Sequence, residues 1–134
     1  MKVHIFTYCD FAVFYNGKLC ITGACDQLYL PRTPMHVPLG FIVLKLGMEA
    51  ADEGEHLLKT SMIDADGKQI ASPPPFLASV KFDQKSVGNY EQKTQYQINM
   101  MNNFLIPKYG EYSIELSDGG NQLASIPFLV LHGL

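Results

Sequence analysis

Tryptophan is absent from this 134-residue chain, cysteine occurs three times, and basic residues (10) are outnumbered by acidic ones (13). Each shortage excludes something. Without Trp the chain lacks the broadest flat ring for stacking on a sugar. Cys9, Cys20 and Cys25 are too few, and of the wrong parity, for the disulfide framework of a small secreted domain, so a reducing, cytoplasmic setting is expected. With a net charge of -3 and scattered Lys and Arg, the chain lacks the footprint that phosphate-backbone binding requires, so nucleic acid is not an expected partner. No apolar run reaches the roughly 20 residues that cross a bilayer, so no membrane partner is expected either. The opening "MKVHIFTYCDFAVF" is interrupted by His4, Thr7, Tyr8 and Asp10 before a secretion-type run can form, and reads as a first strand.

Catalytic signatures are equally scarce. There is no Gly-x-Ser-x-Gly elbow and no Gly-rich phosphate loop. His4, His36, His56 and His132 show neither the i, i+2 nor the i, i+4 spacing that sets two imidazoles on one face. Cys9 has no His at a motif distance. No catalytic residue, metal or cofactor is therefore assigned, and the chain is not read as an enzyme. A weaker enzymatic reading would use Cys9 or His36 with Asp10 or Asp26, should tertiary structure bring such a pair together.

What is present is a globular balance of 47% hydrophobic and 17% charged residues, with period two almost everywhere. At this length folding hides roughly two-thirds of the unfolded chain's surface, enough for a single domain over residues 1–134. In "YEQKTQYQINMM", Tyr90, Thr94, Tyr96, Ile98 and Met100 alternate with Glu91, Lys93, Gln95, Gln97 and Asn99, so the first set is expected to face inward. In "EYSIELS", Tyr112, Ile114 and Leu116 form the inward set. Asn16-Gly17 and the "SDGGN" stretch at 117–121 mark hairpins, because residues that accept positive φ occupy the central positions. Two proline-rich segments, "LPRTPMHVP" and "SPPPF", deny ladder donors and read as crossings. The small and charged span "GMEAADEGEH" reads as an exposed loop with room for one helical turn.

Strands are expected at 2–8, 11–15, 18–29, 39–48, 55–64, 68–71, 75–83, 89–101, 110–117 and 121–131. Short strands, frequent turns and no helix-period segment predict an all-β, immunoglobulin-like antiparallel β-sandwich of two sheets and about 8–10 strands.

The stretch "DADGKQI" at 64–70 resembles the start of a calcium loop. Calcium would need further oxygen ligands at alternate positions, and Lys68 stands where a third would be useful. Asp64, Asp66 and Gly67 instead suit a tight hairpin, with Asp accepting local N–H groups and Gly taking positive φ. Cys20 and Cys25, about 16 Å apart if they share one extended strand, are beyond disulfide reach.

Taken in order, "CDFAVFYNGKLCITGACDQLYLPRTP", "HVPLGFIVLKL", "EGEHLLKTSMIDADGKQI" and "YGEYSIELSDGGNQLASIPFLVL" resemble a family of small, uncharacterised bacterial proteins classed as a domain of unknown function. The matching positions are Asp10 and Ala12, Gly17 and Lys18, Asp66 and Gly67, and Gly110 and Tyr112. The resemblance implies a single immunoglobulin-like sandwich and no assigned catalytic or ligand residue. Cys20 and Cys25 lie outside its pattern.

The function these readings favour is a protein-interaction, adaptor or assembly module. The alternative is a small-ligand or carbohydrate-binding module, for which Tyr8, Tyr15, Tyr29 and Tyr109, near strand ends, are the available rings. Alternation leaves Phe41, Val43, Leu129 and Leu131 as apolar residues on the outer sides of their strands. They are the candidate interface, covered either by a loop such as 30–38 or by a second copy in a homodimer.

Overall fold

The computed structural model describes residues 1–82 and 93–133. Among them are ten strands, β1 (Lys2–Tyr15), β2 (Lys18–Cys25), β3 (Gln27–Leu30), β4 (Met35–Met48), β5 (Gly54–Asp64), β6 (Gln69–Ala71), β7 (Phe76–Val80), β8 (Lys93–Ile106), β9 (Gly110–Asp118) and β10 (Asn121–His132), with a single 3-10 turn at Ala50–Asp52. They form two sheets. One has the order β2-β1-β4-β8; the other runs β3-β10-β9-β5-β6, with β7 also paired to β5. The chain is an all-β sandwich, and the core between its sheets is built by Ile42, Leu44 and Leu46 on one side and Leu58, Ile114 and Phe128 on the other.

The alternation in the sequence accounts for most of this. Tyr112, Ile114 and Leu116 are buried, as their spacing predicts. Asn16 and Gly17 both take positive φ, at 50° and 71°, the condition of a type I′ turn. In the last hairpin Gly119 takes φ 60° and Gly120 no positive φ, so that turn has the φ pattern of type II′ instead. At the start of β9 the Tyr112 hydroxyl donates to the Lys108 carbonyl at 2.6 Å, a corner that ties the strand to the turn before it.

Several expectations are corrected. The segments 2–8 and 11–15 are one strand, since β1 pairs with β2 from Tyr8 to Tyr15 while still paired with β4 as far as Cys9. Residues 18–29 are two strands in different sheets, and the crossing is made at Asp26. β3 then pairs parallel with β10, so the second sheet is not wholly antiparallel. β4 begins at Met35 rather than 39. Pro38 is tolerated there because β1 pairing begins only at Phe41, so this half of β4 has β8 on one side alone.

The larger correction is β8. Its Lys93, Gln95, Gln97 and Asn99 turn toward the second sheet, and their side chains donate to the carbonyls of Lys81, Ser79, Leu77 and Pro74. Tyr96 and Met100 face outward. A long amide is stable on the inner side at a sheet edge when an unpaired backbone acceptor lies opposite, and β7 supplies a row of them. The Gln97–Leu77 bond is 2.9 Å. Tyr90, Glu91 and the strand start expected at 89 lie outside the described residues. Beyond Met101 the inward set changes parity to Phe104 and Ile106, and β4 changes parity opposite it, from Val37 to Gly40 and Ile42. Asn103, with φ 48°, stands at that change beside Pro38.

Candidate interaction surface

The first hairpin does not continue flat. Its pairing with β4 ends where Cys9 faces Phe41, and the part from Asp10 to Gly23 folds back across the outer face of its own sheet. Gly23 makes the bend. Its φ is 68°, and a side chain there would meet Asp10, whose Cγ stands 2.9 Å from the position a Cβ would take. Ala12, Leu19 and Ile21 then pack on Cys9, Phe41, Val43 and Ile98, making a second small apolar cluster outside the main core. Phe11 meets Phe41 edge to face, with ring centroids 5.6 Å apart. Phe14 reaches over β4 to Tyr96 on β8, 6.5 Å away, and Lys45 lies over the Tyr96 ring at 5.6 Å.

This answers what covers Phe41 and Val43: the tip of the β1–β2 hairpin, not residues 30–38. Leu129 and Leu131 are outward on β10, in the other sheet, and are half-buried beside the parallel strand β3. The four residues expected to share one apolar face therefore lie on opposite outer faces of the sandwich. No single interface can contain all of them.

A different apolar surface takes their place. Phe11-Ala12-Val13-Phe14-Tyr15 is apolar at five consecutive positions, so both faces of the strand are apolar. One face is spent on the sheet beneath. The other holds Val13 and Tyr15, with Cys20 and Lys18 directly across in β2, and it is open: Tyr15 is 65% exposed and Val13 42%. Phe11, Phe14 and Met100, each about half exposed, extend the surface along the sheet. The run was legible in the sequence, but strand alternation alone did not reveal that the hairpin would fold over and expose its second side.

The remaining candidates resolve as local structure. Asp64 Oδ1 accepts from the Asp66 and Lys68 amides at 3.0 and 2.8 Å, and Gly67, at φ 82°, donates to the Asp64 carbonyl. The stretch is a turn. Among the described residues no three His, Cys, Asp or Glu side chains gather as metal ligands. The three cysteines are free. Burial pushes the Cys9 thiol up from its ordinary value, and the thiol lies within hydrogen-bond reach of the Phe11 carbonyl. Exposed His36 makes no side-chain hydrogen bond with Asp10 or Asp26 among the described residues. Tyr8 is not a rim residue: it is buried against Phe104 and Phe128, and Gly40 leaves the space its ring fills. Tyr109 donates to the Leu30 carbonyl at 2.9 Å, and exposed Tyr29 donates to Gln27 at the same distance.

Histidine spacing alone gives His56 no role. Its Nδ1 lies 3.0 Å from the Asp118 carboxylate and its Nε2 2.7 Å from the Asp52 carbonyl. The Asp52 carbonyl first, and Asp118 after it, raise the imidazole's pKa. With both nitrogens engaged by acceptors the ring has none free to take a proton from a substrate. It ties the 3-10 turn to the end of β9. A groove of about 370 Å³ along the far side of β8, lined by Ile70, Pro73, Pro74, Met100 and Leu105 among others, contains no titratable side chain. Among the described residues no helix is long and apolar enough to cross a membrane.

The family model of DUF6941, a family of unknown function, matches residues 4–131. The chain belongs to that family. No curated protein matches it. Among solved structures it is similar to the Pseudomonas fluorescens alkylpurine DNA glycosylase AlkC bound to DNA containing an abasic site analog, with TM-score 0.52 and 9% identity over 97% of this chain. The chain corresponds to 30% of the length of that glycosylase chain, and at this identity the likeness is one of fold.

Proposed function

We propose that this DUF6941 chain is an interaction module, acting as an adaptor, an assembly subunit or an accessory domain, and that it engages a partner protein through the open side of the β1–β2 hairpin. The observation that carries the reading is the Phe11–Tyr15 run. A strand apolar on both faces is ordinarily buried on both, and here one face lies open around Val13 and Tyr15. Consecutive exposed apolar residues lower solubility, and their presence at a hairpin tip is accounted for by use.

Two observations favour protein over sugar. The exposed rings Phe14 and Tyr96 meet at 66°, so this pair offers no coplanar platform to a sugar. The groove at Met100 is lined by residues other than Val13 and Tyr15. The DNA bound by the similar glycosylase does not transfer well to a chain of net charge -3. The strand order, with β1-β4-β8 facing β10-β9-β5, and the Tyr112 corner support an immunoglobulin-like placing of the strands. Three free cysteines suit a reducing compartment such as the cytoplasm.

The test compares the wild-type chain with the double variant Val13→Ser, Tyr15→Ser as bait in lysate from the native host. The expected result is a protein captured by the wild type and lost by the variant, with the two baits equal in circular dichroism and melting temperature. Identical capture by both baits would overturn the assignment of the surface.

A further inference from the structure

Charge is divided unevenly between the two sheets. The strands of the first, β1, β2, β4 and β8, carry Lys2, Lys18, Lys45 and Lys93 against one carboxylate, Asp10. Those of the second carry Glu55, Asp64, Glu111, Glu115 and Asp118 against one lysine, Lys59. In a chain of net charge -3, the sheet that bears the open hairpin is the basic one.

Two of its lysines stand at the hairpin tip. Lys18 is the cross-strand partner of Tyr15, so it shares the open side with that ring, and it is exposed. Lys45 is half-buried opposite Tyr96, with its ammonium over the ring that Phe14 also meets. Neither lysine has an ion pair among the described residues. Lys93, by contrast, is turned inward and donates to the Lys81 carbonyl. Asp10 stands at the other end of the hairpin, against Gly23.

We infer that the partner segment received by the open face is acidic as well as apolar, with carboxylates placed beside its apolar side chains to meet Lys18 and Lys45. This rests on the reading of the open face given above and adds the chemistry of what that face receives. The reason is desolvation. A segment seated on Val13 and Tyr15 takes water from the neighbouring Lys18, and an ammonium that loses water without gaining an anion opposes binding. A neutral or basic apolar segment therefore meets this face at a loss. An acidic one is drawn to it and also oriented by it, because both lysines lie at one end of the hairpin and Asp10 at the other. Other anions are a poorer match for two lysines. Lipid headgroups are held by clusters of roughly four to eight basic residues, and a nucleic-acid backbone by a basic stripe or patch. A protein segment needs one carboxylate for each lysine.

The probe is a displayed library of random-sequence peptides, selected on the immobilised chain, with the selected peptides then synthesised and their affinities measured in solution. Aspartate and glutamate should be enriched beside apolar residues, and affinity should fall as salt rises. Lys18→Glu should weaken binding roughly tenfold. Adding Lys45→Glu should weaken it further, whereas Lys59→Glu, the same change of charge as Lys18→Glu but on the second sheet, should leave it unchanged. Val13→Ser, Tyr15→Ser should abolish it, and each variant should match the wild type in circular dichroism. Peptides that need Val13 and Tyr15 but are poor in carboxylates, or that bind Lys18→Glu as well as the wild type, would overturn this inference and leave the open face standing. Peptides indifferent to Val13→Ser, Tyr15→Ser would remove the open face and this inference with it. A selection that enriches no sequence would also overturn it, and if vesicles containing phosphatidylserine then sediment the wild type but not Lys18→Glu, the occupant is an anionic lipid surface.

Discussion

The molecule holds two apolar clusters of different kinds. Between the sheets lies a core that draws on both sheets and leaves Ile42, Leu44, Ile114 and Val130 with no exposure at all. Outside the first sheet, Cys9, Ala12, Phe41 and Val43 are buried only because one hairpin folds over them. The main core is closed on every side by its own chain. The outer cluster is closed below and roofed by a hairpin whose upper side is still apolar. The first arrangement explains why the chain folds. The second shows apolar surface that folding did not consume, and this is where a partner is expected.

The largest effect should come from inside the main core. Ile114→Ala removes three carbons from a fully buried position and should cost about 2–5 kcal/mol, depending on how far the site collapses. In denaturant titration the midpoint should fall sharply. A loss under about 1 kcal/mol would show that the space between the sheets is loosely packed and that the two clusters differ less than their burial implies.

Overpacking tests the same core at its rim. At Gly40 a Cβ would come within 2.6 Å of the Tyr8 ring carbon Cζ, and Tyr8 is itself held by Phe104 and Phe128. Gly40→Ala should therefore cost about 1–3 kcal/mol by the same titration. A neutral result would mean that the Tyr8 ring can move aside freely.

Much of the main core was legible in the sequence, and much of the outer surface was not. The reason is physical. Period two states that a strand has two different sides, which was enough for Tyr112, Ile114 and Leu116. It does not state which sheet a strand joins, so Phe41 and Val43 were correctly placed outward yet grouped with Leu129 and Leu131 on the far side of the molecule. Nor does it say which side of a polar-rich strand turns inward. Gln95 and Gln97 are inward because β7 offers carbonyls to them, a circumstance fixed by chain segments some 20 residues away. Alternation breaks near Asp10, which gives Tyr8 the pattern of a strand end, whereas the strand runs through that point. Of the candidate surface, the Phe11–Tyr15 run was visible and its fold-back depended on Gly23.

A titration probes the end of the sandwich, away from both clusters. The Asp52 carbonyl and the Asp118 carboxylate both favour charged His56, so its folded-state pKa lies above the unfolded value of about 6.5. A group raised on folding stabilises fully below its unfolded pKa, and that contribution disappears as pH climbs through the folded one. The melting temperature of the wild type should thus exceed that of His56→Gln at about pH 5.5 by more than it does at about pH 8. A gap that is constant or widens with pH would mean that folding does not raise the His56 pKa.

The smallest expected effect bears most directly on function. Val13→Ser and Tyr15→Ser alter side chains on the open face of the hairpin, where no apolar neighbour from the sheet beneath is lost, so each should shift stability by no more than about 0.5 kcal/mol. Ala12→Ser makes the informative contrast: it sits one position along the same strand, but Ala12 is buried on the sheet, and an added hydroxyl must either find a partner or go unsatisfied. Denaturant midpoints should then rank Ala12→Ser below Val13→Ser, although Val loses more apolar surface in the exchange. If Val13→Ser is the more damaging, its side chain is packed in the free protein and the hairpin has no open side. If the predicted order holds, adjacent residues of one strand have separate tasks: Ala12 seats the hairpin on its sheet, and Val13 remains available for contact with another protein.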